Sequence, residues 1–243
     1  MQITVRFTER ITLPLASAEV IQGLIYKALS ADGAYASAVH ENGSEGAGRR
    51  YKMFTFSELQ GKYQVYDGKI TYPEGASLRI SSAEPYFIQL VFAFFNSNKR
   101  IFLGEGTTAV GDVSLEDSRI FENELTVRTL SPITVYVTEA DGHTTYFSPD
   151  DPRFLRAIEA NARRKYIARF GTDEGFSLNV ALNDAFTPTK RMTRFKSTFI
   201  TAWHCSLVLS GTPQTLDLLY NVGLGSKNSQ GFGMISMLQT SLN

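Results

Sequence analysis

Cysteine is almost absent from this chain. Cys205 is the only one among 243 residues, and it stands in the apolar stretch AWHCSLVL. A single thiol excludes a disulfide within the chain and a metal site built from several cysteines. Such low cysteine usage is typical of proteins in a reducing compartment, so we expect a cytoplasmic protein.

Long apolar runs and an excess of charge are also missing. The most apolar stretch, FIQLVFAFF, is too short to cross a bilayer, and the N-terminal MQITVRFTERITLPL carries charges too early for a signal peptide. We therefore expect no membrane association. The chain has 24 basic and 24 acidic residues and a formal net charge of zero. A nucleic-acid surface would have to come from local clusters of lysine and arginine.

The chain does contain two successive sets of strand and helix patterns. The first half follows the order strand, helix, two strands, helix, strand. QITVRFTE alternates as a strand does, and RYKMFTFSEL and KYQVYDGKITY are predicted to be paired strands. The helix patterns lie in SAEVIQGLIYKALSA, with Ser17 as the expected N-cap, and in EPYFIQLVFAFFNS. The second half repeats this order around the helix patterns DPRFLRAIEANARRKYIARFG and TPQTLDLLYNVG, the latter with Thr212 as the predicted cap and Pro213 in the first turn. Two β-α-β-β-α-β units predict an α+β fold of tandem ferredoxin-like domains, which we assign to residues 1–118 and 119–243. The glycine-containing end of DGAYASAVHENGSEGAGRR predicts an exposed loop.

A glycine-rich stretch, NVGLGSKNSQGFGMI, lies close to the C-terminus. Gly223 and Gly225 form one pair, Gly231 and Gly233 form another, and five residues including Lys227 separate the pairs. A dinucleotide-binding fingerprint and a P-loop both fail to fit, because the required third glycine and the Gly-Lys-Ser/Thr triplet are missing. Two interpretations remain open. One is a helix C-cap followed by a bulged hairpin, and the other is a set of bare N–H groups that approach a phosphate chain together with the lysine.

The double glycine pattern resembles the C-terminal signature of the CRISPR-associated proteins that cut repeat RNA, the sixth numbered Cas family of the RAMP superfamily. Further stretches extend the resemblance, namely IQGLIYKAL, AVHENG, YKMFTFSEL, LSPITV and ITAWH. They run from residue 21 to residue 234 and so cover nearly the whole chain. The resemblance implies two ferredoxin-like domains. It also implies that the glycine loop binds the RNA backbone and packs the domains together.

The resemblance further implies a reaction. Without a metal or cofactor, the ribose 2′-OH attacks the adjacent phosphate and leaves 2′,3′-cyclic phosphate and 5′-OH ends. This chemistry needs a base, an acid and a positive group near the phosphate. His40, Tyr26 and Lys52 stand at the family's histidine, tyrosine and lysine positions. We predict His40 as the main catalyst, Tyr26 as a group that orients the 2′-OH or the phosphate, and Lys52 as the phosphate-stabilising cation.

The residues alone leave other interpretations open. A histidine in a loop is usually a surface residue, a tyrosine on an amphipathic helix usually belongs to the core, and a lysine can simply mark a strand edge. The insert GSEGAG also lengthens the gap between His40 and Lys52, so the sequence does not define their geometry. Of the other histidines, His143 lies in a turn pattern, and His204 is predicted to be a structural or interface residue.

Basic residues cluster in three further places. Lys190, Arg191, Arg194 and Lys196 lie in TKRMTRFKSTF, which predicts either an RNA-binding hairpin or a charged edge strand. In either case Arg194 and Lys196 are expected to share one face of the strand. Arg49 and Arg50, just before Lys52, are predicted to bind backbone phosphates. The basic residues of RAIEANARRKYIARF predict a solvated helix face.

Two other functions remain possible from the sequence. One is a protein that holds repeat RNA without cutting it, and the other is a structural subunit of an RNA-guided effector complex. The predicted partners are precursor and mature CRISPR RNA, together with effector-complex subunits. The sequence is compatible with a monomer or a homodimer.

Overall fold

The computed structural model describes residues 1–41, 44–46, 49–117 and 119–238. In the first half, the helices are α1 (Ala18–Leu29), α2 (Gly33–Glu41) and α3 (Pro85–Ser97), and the strands are β1 (Gln2–Phe7), β2 (Ile11–Pro14), β3 (Ser44–Gly46), β4 (Arg49–Tyr51), β5 (Phe54–Phe56), β6 (Gln64–Tyr66), β7 (Lys69–Tyr72), β8 (Ala76–Ser82), β9 (Arg100–Leu103) and β10 (Gly106–Glu116).

In the second half, the helices are α4 (Arg153–Phe170) and α5 (Pro213–Val222), with a 3-10 turn at Asn228–Gln230. The strands are β11 (Glu124–Thr129), β12 (Tyr136–Thr138), β13 (Thr144–Tyr146), β14 (Leu178–Leu182), β15 (Thr189–Phe195), β16 (Thr198–His204), β17 (Ser206–Gly211) and β18 (Ile235–Met237).

An antiparallel sheet of order β5-β8-β1-β10-β9 organises the first half. Its central strand β1 alternates as the sequence predicts, because Ile3, Val5 and Phe7 all point into the core. Helices α1 and α3 bury their apolar faces in the same core. The helical spacing in both segments is therefore confirmed. Ser17 precedes α1, but its side chain makes no capping hydrogen bond, contrary to our expectation.

A second antiparallel sheet, of order β14-β17-β11-β18, organises the second half. Helices α4 and α5 contribute their buried residues to the core beneath it. Thr212 caps α5 through its side chain and Pro213 begins the helix, as predicted. The two sheets therefore share an arrangement. The first strand of each half, β1 or β11, lies between the later strands β8 and β10, or β17 and β18, and β5 or β14 lies outside β8 or β17. The predicted α+β class is confirmed.

Some predicted strands pair differently from our expectation. The stretches RYKMFTFSEL and KYQVYDGKITY do not pair with each other. Instead β5 pairs with β8, whereas β6 and β7 form their own hairpin beside β2. The hairpin turn is Asp67-Gly68, and both of its residues have positive φ. A two-residue Asp-Gly turn favours pairing between the two strands that it joins, so β6 pairs with β7 and not with the preceding stretch.

The two halves meet along a packed seam. Met53 of the first half is buried against Tyr166, Leu218 and Val222 of the second half. A hydrogen bond of 3.1 Å from Thr55 Oγ1 to the Phe232 carbonyl also crosses this seam. The division at residues 118 and 119 stays a prediction. Among the described residues, no helix is both long and apolar enough to span a membrane.

Candidate functional site

Three predicted catalytic residues come together at the edge of the first half. Tyr26 projects from α1, His40 from the last turn of α2, and Lys52 from the connection between β4 and β5. Lys52 Nζ donates a hydrogen bond of 2.9 Å to Tyr26 Oη. The Tyr26 and His40 rings pack edge to face, with centroids 5.2 Å apart. We call these three residues the Tyr-His-Lys cluster.

The position of His40 corrects the expectation of an exposed loop. Residues 33–41 form α2, and His40 lies in its last turn. Tyr35, Ala36 and Val39 of this helix pack against the core of the first half, which holds α2 in place. The imidazole itself is exposed. A helix fixes the direction of a side chain better than a loop does, so His40 is presented to solvent on a supported element.

Burial governs the two groups that touch in the cluster. It raises the pKa of Tyr26 to about 12, so this hydroxyl keeps its proton near neutral pH. Because its oxygen accepts from Lys52, the hydroxyl proton can be donated to another acceptor. Burial also lowers the pKa of Lys52, and the positive charge of Lys196 lowers it further. Lys196 lies in the turn between β15 and β16, so the charge at the tip of this hairpin acts on the cluster.

A polar cleft of about 370 Å³ adjoins the cluster along the seam between the two halves. We call it the seam pocket. Arg50 and Lys52 line it from the first half, and Tyr136, Asn161, Lys165 and Lys227 line it from the second. Lys227 Nζ lies 5.2 Å from the centre of the Tyr136 ring. Arg50, Lys52 and Lys227 around one cleft make it suited to a polyanion.

Lys165 and Asn161 were not predicted as site residues. Lys165 was assigned to a solvated helix face, but it is 3% exposed. Its Nζ donates to the carbonyls of Gly223 and Gly225 at 2.8 and 2.9 Å. Asn161 is 4% exposed, and its Oδ1 has no partner among the described residues. Both side chains follow the spacing of the buried face of α4, which is the signal that could have identified them.

The glycine loop is buried rather than bare. Gly223 ends α5 as a C-cap, as one interpretation predicts, but a 3-10 turn replaces the expected bulged hairpin. A Cβ on Gly233 would overlap the Leu224 carbonyl oxygen. A Cβ on Gly231 would lie 2.7 Å from Cε2 of Phe56, which belongs to the first half. The glycines therefore permit close packing, including packing across the seam.

Most of the loop's N–H groups are engaged within the protein. Gly223, Gly231 and Gly233 donate, in that order, to the carbonyls of Leu219, Asn228 and Pro132. The interpretation that these N–H groups meet phosphate thus requires a change of partner, and RNA binding by the loop stays a prediction. Lys227, with φ of 59°, faces the seam pocket.

The basic hairpin is formed by β15 and β16. Lys190, Arg191, Arg194 and Lys196 are all exposed. Arg191 lies 3.9 Å from the Glu58 carboxylate across the seam. Arg194 and Lys196 do not share a strand face as expected, because Lys196 occupies the turn with φ of 53°. Arg49 and Arg50 lie in β4.

The other two histidines lie away from the cluster. His143 is exposed in the connection between β12 and β13. His204 has Nδ1 3.0 Å from Thr129 Oγ1 and Nε2 3.2 Å from Glu58 Oε2. It therefore joins the halves, as predicted for a structural or interface residue. Among the described residues, no group of three or more His, Cys, Asp or Glu side chains is placed to hold a metal ion.

Comparison with known proteins gives a consistent picture. The family model for the C-terminal part of the CRISPR-associated protein Cas6 matches residues 115–237, just over half of the chain. The CRISPR-associated endoribonuclease Cas6 1 of Methanocaldococcus jannaschii is 32% identical over 222 residues, covering 85% of this chain and 79% of the relative.

Two further comparisons involve Pyrococcus furiosus. Its CRISPR-associated endoribonuclease Cas6 is 27% identical over 237 residues, covering 89% of this chain and 80% of the relative. The solved structure of a Cas6-related protein from the same organism superposes with a TM-score of 0.83 at 21% identity, covering 99% of each chain. The resemblance predicted from the sequence is confirmed, and the chain belongs to the Cas6 family of CRISPR-associated endoribonucleases.

Proposed function

We propose that this protein cuts precursor CRISPR RNA within its repeat, without a metal ion, by attack of a ribose 2′-OH on the adjacent phosphate. The products carry 2′,3′-cyclic phosphate and 5′-OH ends. The observation that carries the proposal is the contact of Lys52 with Tyr26 and of Tyr26 with His40, at the mouth of a basic cleft. A base, a hydrogen-bond donor and a cation meet the needs of this reaction.

Each residue of the Tyr-His-Lys cluster has a distinct proposed role. Neutral His40 accepts the proton of the 2′-OH as its oxygen bonds to phosphorus. The bond from phosphorus to the 5′-oxygen breaks, and that oxygen takes up a proton from solvent water as it leaves. Tyr26 is protonated near neutral pH, so it donates a hydrogen bond and does not serve as the base. Lys52 stabilises the negative charge that develops on the phosphate oxygens.

The RNA strand is proposed to enter along the seam. Arg50 and Lys227 line the pocket next to Lys52, and the hairpin of Lys190, Arg191, Arg194 and Lys196 extends the basic surface. Each phosphate contact made by such a residue adds to the salt dependence of binding. The buried glycine loop supports this surface by holding Lys227 in its left-handed conformation.

The proposed architecture is a pair of ferredoxin-like domains. The strand order β5-β8-β1-β10 in the first half corresponds to β14-β17-β11-β18 in the second, and β9 extends the first sheet at its edge. In each half a helix, α1 or α4, precedes the second of these strands in chain order, β5 or β14, and another, α3 or α5, follows the third, β8 or β17. The domain ranges 1–118 and 119–243 are part of this proposal. Placing the Tyr-His-Lys cluster on one unit and most of the seam lysines on the other makes both units necessary for cleavage.

The test is a cleavage assay with end-labelled repeat RNA from the same locus in excess EDTA. Wild type should make one discrete cut, and a single 2′-deoxy substitution at that position should abolish it. His40→Ala should reduce the rate about 10²-fold or more. His143→Ala is the matched control, because His143 is exposed and remote from the cluster, and it should cut at the wild-type rate.

Each contrary outcome has a separate meaning. Cleavage that disappears with the deoxy RNA but persists in His40→Ala would leave the chemistry intact and remove His40 from its role. Cleavage that requires a divalent ion would overturn metal independence. A wild-type protein that binds the repeat tightly and never cuts it would instead support the RNA-holding function.

A further inference from the structure

A second cleft shares the lining residues Tyr51, Lys52 and Met53 with the seam pocket. It has a volume of about 210 Å³, and its walls include Tyr35, Tyr51, Lys52, Phe54, Glu84 and Phe87. We call it the side pocket. Since Lys52 lines both clefts, a strand whose phosphate contacts Lys52 has the side pocket within reach of its neighbouring nucleotides.

Four aromatic residues, Tyr35, Tyr51, Phe54 and Phe87, line the side pocket. Phe54 and Phe87 stack with ring centroids 4.6 Å apart and an interplanar angle of 27°. Phe54 also packs edge to face on Tyr26, with centroids 6.2 Å apart, so the pocket is continuous with the Tyr-His-Lys cluster. Phe54 and Phe87 are each 1% exposed and belong to the core, so the partly exposed rings of Tyr35 and Tyr51 are the surfaces of this pocket that suit the face of an unstacked RNA base.

Two polar groups complete the pocket. Tyr35 Oη is buried and has no hydrogen-bond partner among the described residues. A buried hydroxyl without a partner is unfavourable unless a ligand supplies one. The other group is the Glu84 carboxylate, which among the described residues forms one ion pair, a long contact of 3.8 Å with Arg169 Nη1. The carboxylate therefore retains capacity to accept hydrogen bonds.

The two clefts differ in charge. The seam pocket is lined by lysine and arginine, whereas the side pocket has one acidic residue, Glu84, and one basic residue, Lys52, among its lining residues. A carboxylate repels a phosphate and accepts hydrogen bonds from N–H groups. The seam pocket is thus suited to the RNA backbone, and the side pocket to an uncharged group that carries N–H donors.

We propose that the side pocket binds the base of a nucleotide next to the scissile phosphate, and that Tyr35 and Glu84 read its edge. This inference rests on the proposed function. The carboxylate favours a base with an exocyclic amino group, which is guanine, adenine or cytosine, over uracil. Tyr35 and Glu84 are specificity-determining residues in this scheme and take no part in proton transfer.

The first experiment measures kcat/KM for substrates with each of the four bases on either side of the cut. Tyr35→Phe should lower kcat/KM about tenfold for the preferred base. Its melting temperature should stay the same or rise, since only an unpartnered hydroxyl is lost. Glu84→Gln should change the ranking of the four bases, because an amide both donates and accepts. Arg169→Ala controls for the ion pair of Glu84 and should keep the wild-type ranking.

The second experiment does not depend on cleavage. RNA carrying a 2′-deoxy nucleotide at the cut and 2-aminopurine beside it should change fluorescence when the fluorescent base enters the pocket. Ala38 is exposed and lines the side pocket, so Ala38→Phe should abolish that change. Ala34, exposed on the same helix and outside the pocket lining, provides the control Ala34→Phe, which should behave as wild type.

The outcomes separate this inference from the proposed function. If wild type cuts the RNA and Tyr35→Phe and Glu84→Gln leave both rate and base ranking unchanged, the pocket does not read a base and the function stands. If wild type fails to cut, no cut position is defined, so 2-aminopurine is placed at successive positions of the repeat and the fluorescence changes of wild type and the two variants are compared. Equal fluorescence changes in Ala38→Phe, Ala34→Phe and wild type would overturn the inference.

Discussion

Replacement of Lys165 by methionine should flatten the rise of stability with pH. Lys165 is 3% exposed, and no carboxylate pairs with it among the ion pairs of the described residues. Burial lowers its pKa from 10.5 to about 7, and the positive charge of Arg164 contributes in the same direction. The folded protein therefore disfavours the ammonium form that the unfolded chain carries at neutral pH.

The sign and size of the effect follow from this difference. Between about pH 7 and 10.5 the unfolded state binds more protons than the folded state, so stability rises with pH. The slope from this one group approaches about 1.4 kcal/mol per pH unit, and the whole difference corresponds to roughly 5 kcal/mol as an upper limit. Below pH 7 the folded protein carries the buried ammonium, and the full destabilisation from burying this charge is present. Methionine carries no proton and removes this slope, although it also removes the two hydrogen bonds to the glycine loop.

The assay is urea unfolding at steps between pH 6.5 and 9.5, with the free energies of unfolding compared at each pH. The wild type should gain stability relative to Lys165→Met by about 1 kcal/mol or more per pH unit over part of this range. Lys62→Met is the matched control, since Lys62 is exposed, and its curve should run parallel to that of the wild type. Parallel curves for Lys165→Met would refute the reasoning. They would mean that the two loop carbonyls fully offset the cost of burying the charge.

Three further predictions concern the seam and the cluster. Gly231→Ala should destabilise the protein by about 2 kcal/mol more than Gly142→Ala, because both residues have φ of 85° but only Gly231 has a neighbouring side chain within 4 Å; chemical unfolding measures the difference. Lys196→Gln should move the alkaline limb of kcat/KM to higher pH, because Lys196 lowers the pKa of Lys52, whose charged form is needed; a shift to lower pH would contradict the assignment. Lys227→Ala should reduce the slope of log Kd against log salt by about 0.7 to 1 for repeat RNA, and an unchanged slope would show that Lys227 makes no phosphate contact.

The strongly periodic elements could be predicted from the sequence. Helices α1, α3 and α5 carry apolar faces that are wide enough to identify them without a structure. Helix α2 was missed because GAYASAVHE is rich in small residues and has no broad apolar stripe. It forms because Tyr35 and Val39 pack on the core of the first half. Tertiary contacts, which no local pattern reports, therefore decide the conformation of the segment that carries His40.

Site residues that lie in stretches resembling the family could be predicted from the sequence, whereas prediction outside these stretches was less complete. The three cluster residues were identified by their positions relative to motifs, but their contacts depend on how α1, α2 and the β4–β5 connection converge. Lys165 and Asn161 show the opposite case. Their spacing from Ile158 places them on the buried face of α4, yet their polar character favoured a solvated face. Only the three-dimensional arrangement shows that the glycine loop supplies carbonyls to Lys165.

All three cluster residues belong to the first half, but the position and charge of Lys52 depend on the second half. The proposed reaction therefore needs both halves. Met53, the neighbour of Lys52, is buried among α4 and α5 residues, so the backbone that positions Lys52 is held by the second half. Lys196, also from the second half, shifts the proton affinity of the Lys52 ammonium. A first half expressed alone would expose Met53 and leave Lys52 on an unsupported connection. Its residual rate should therefore fall toward that of a Lys52 variant, even with Tyr26 and His40 intact.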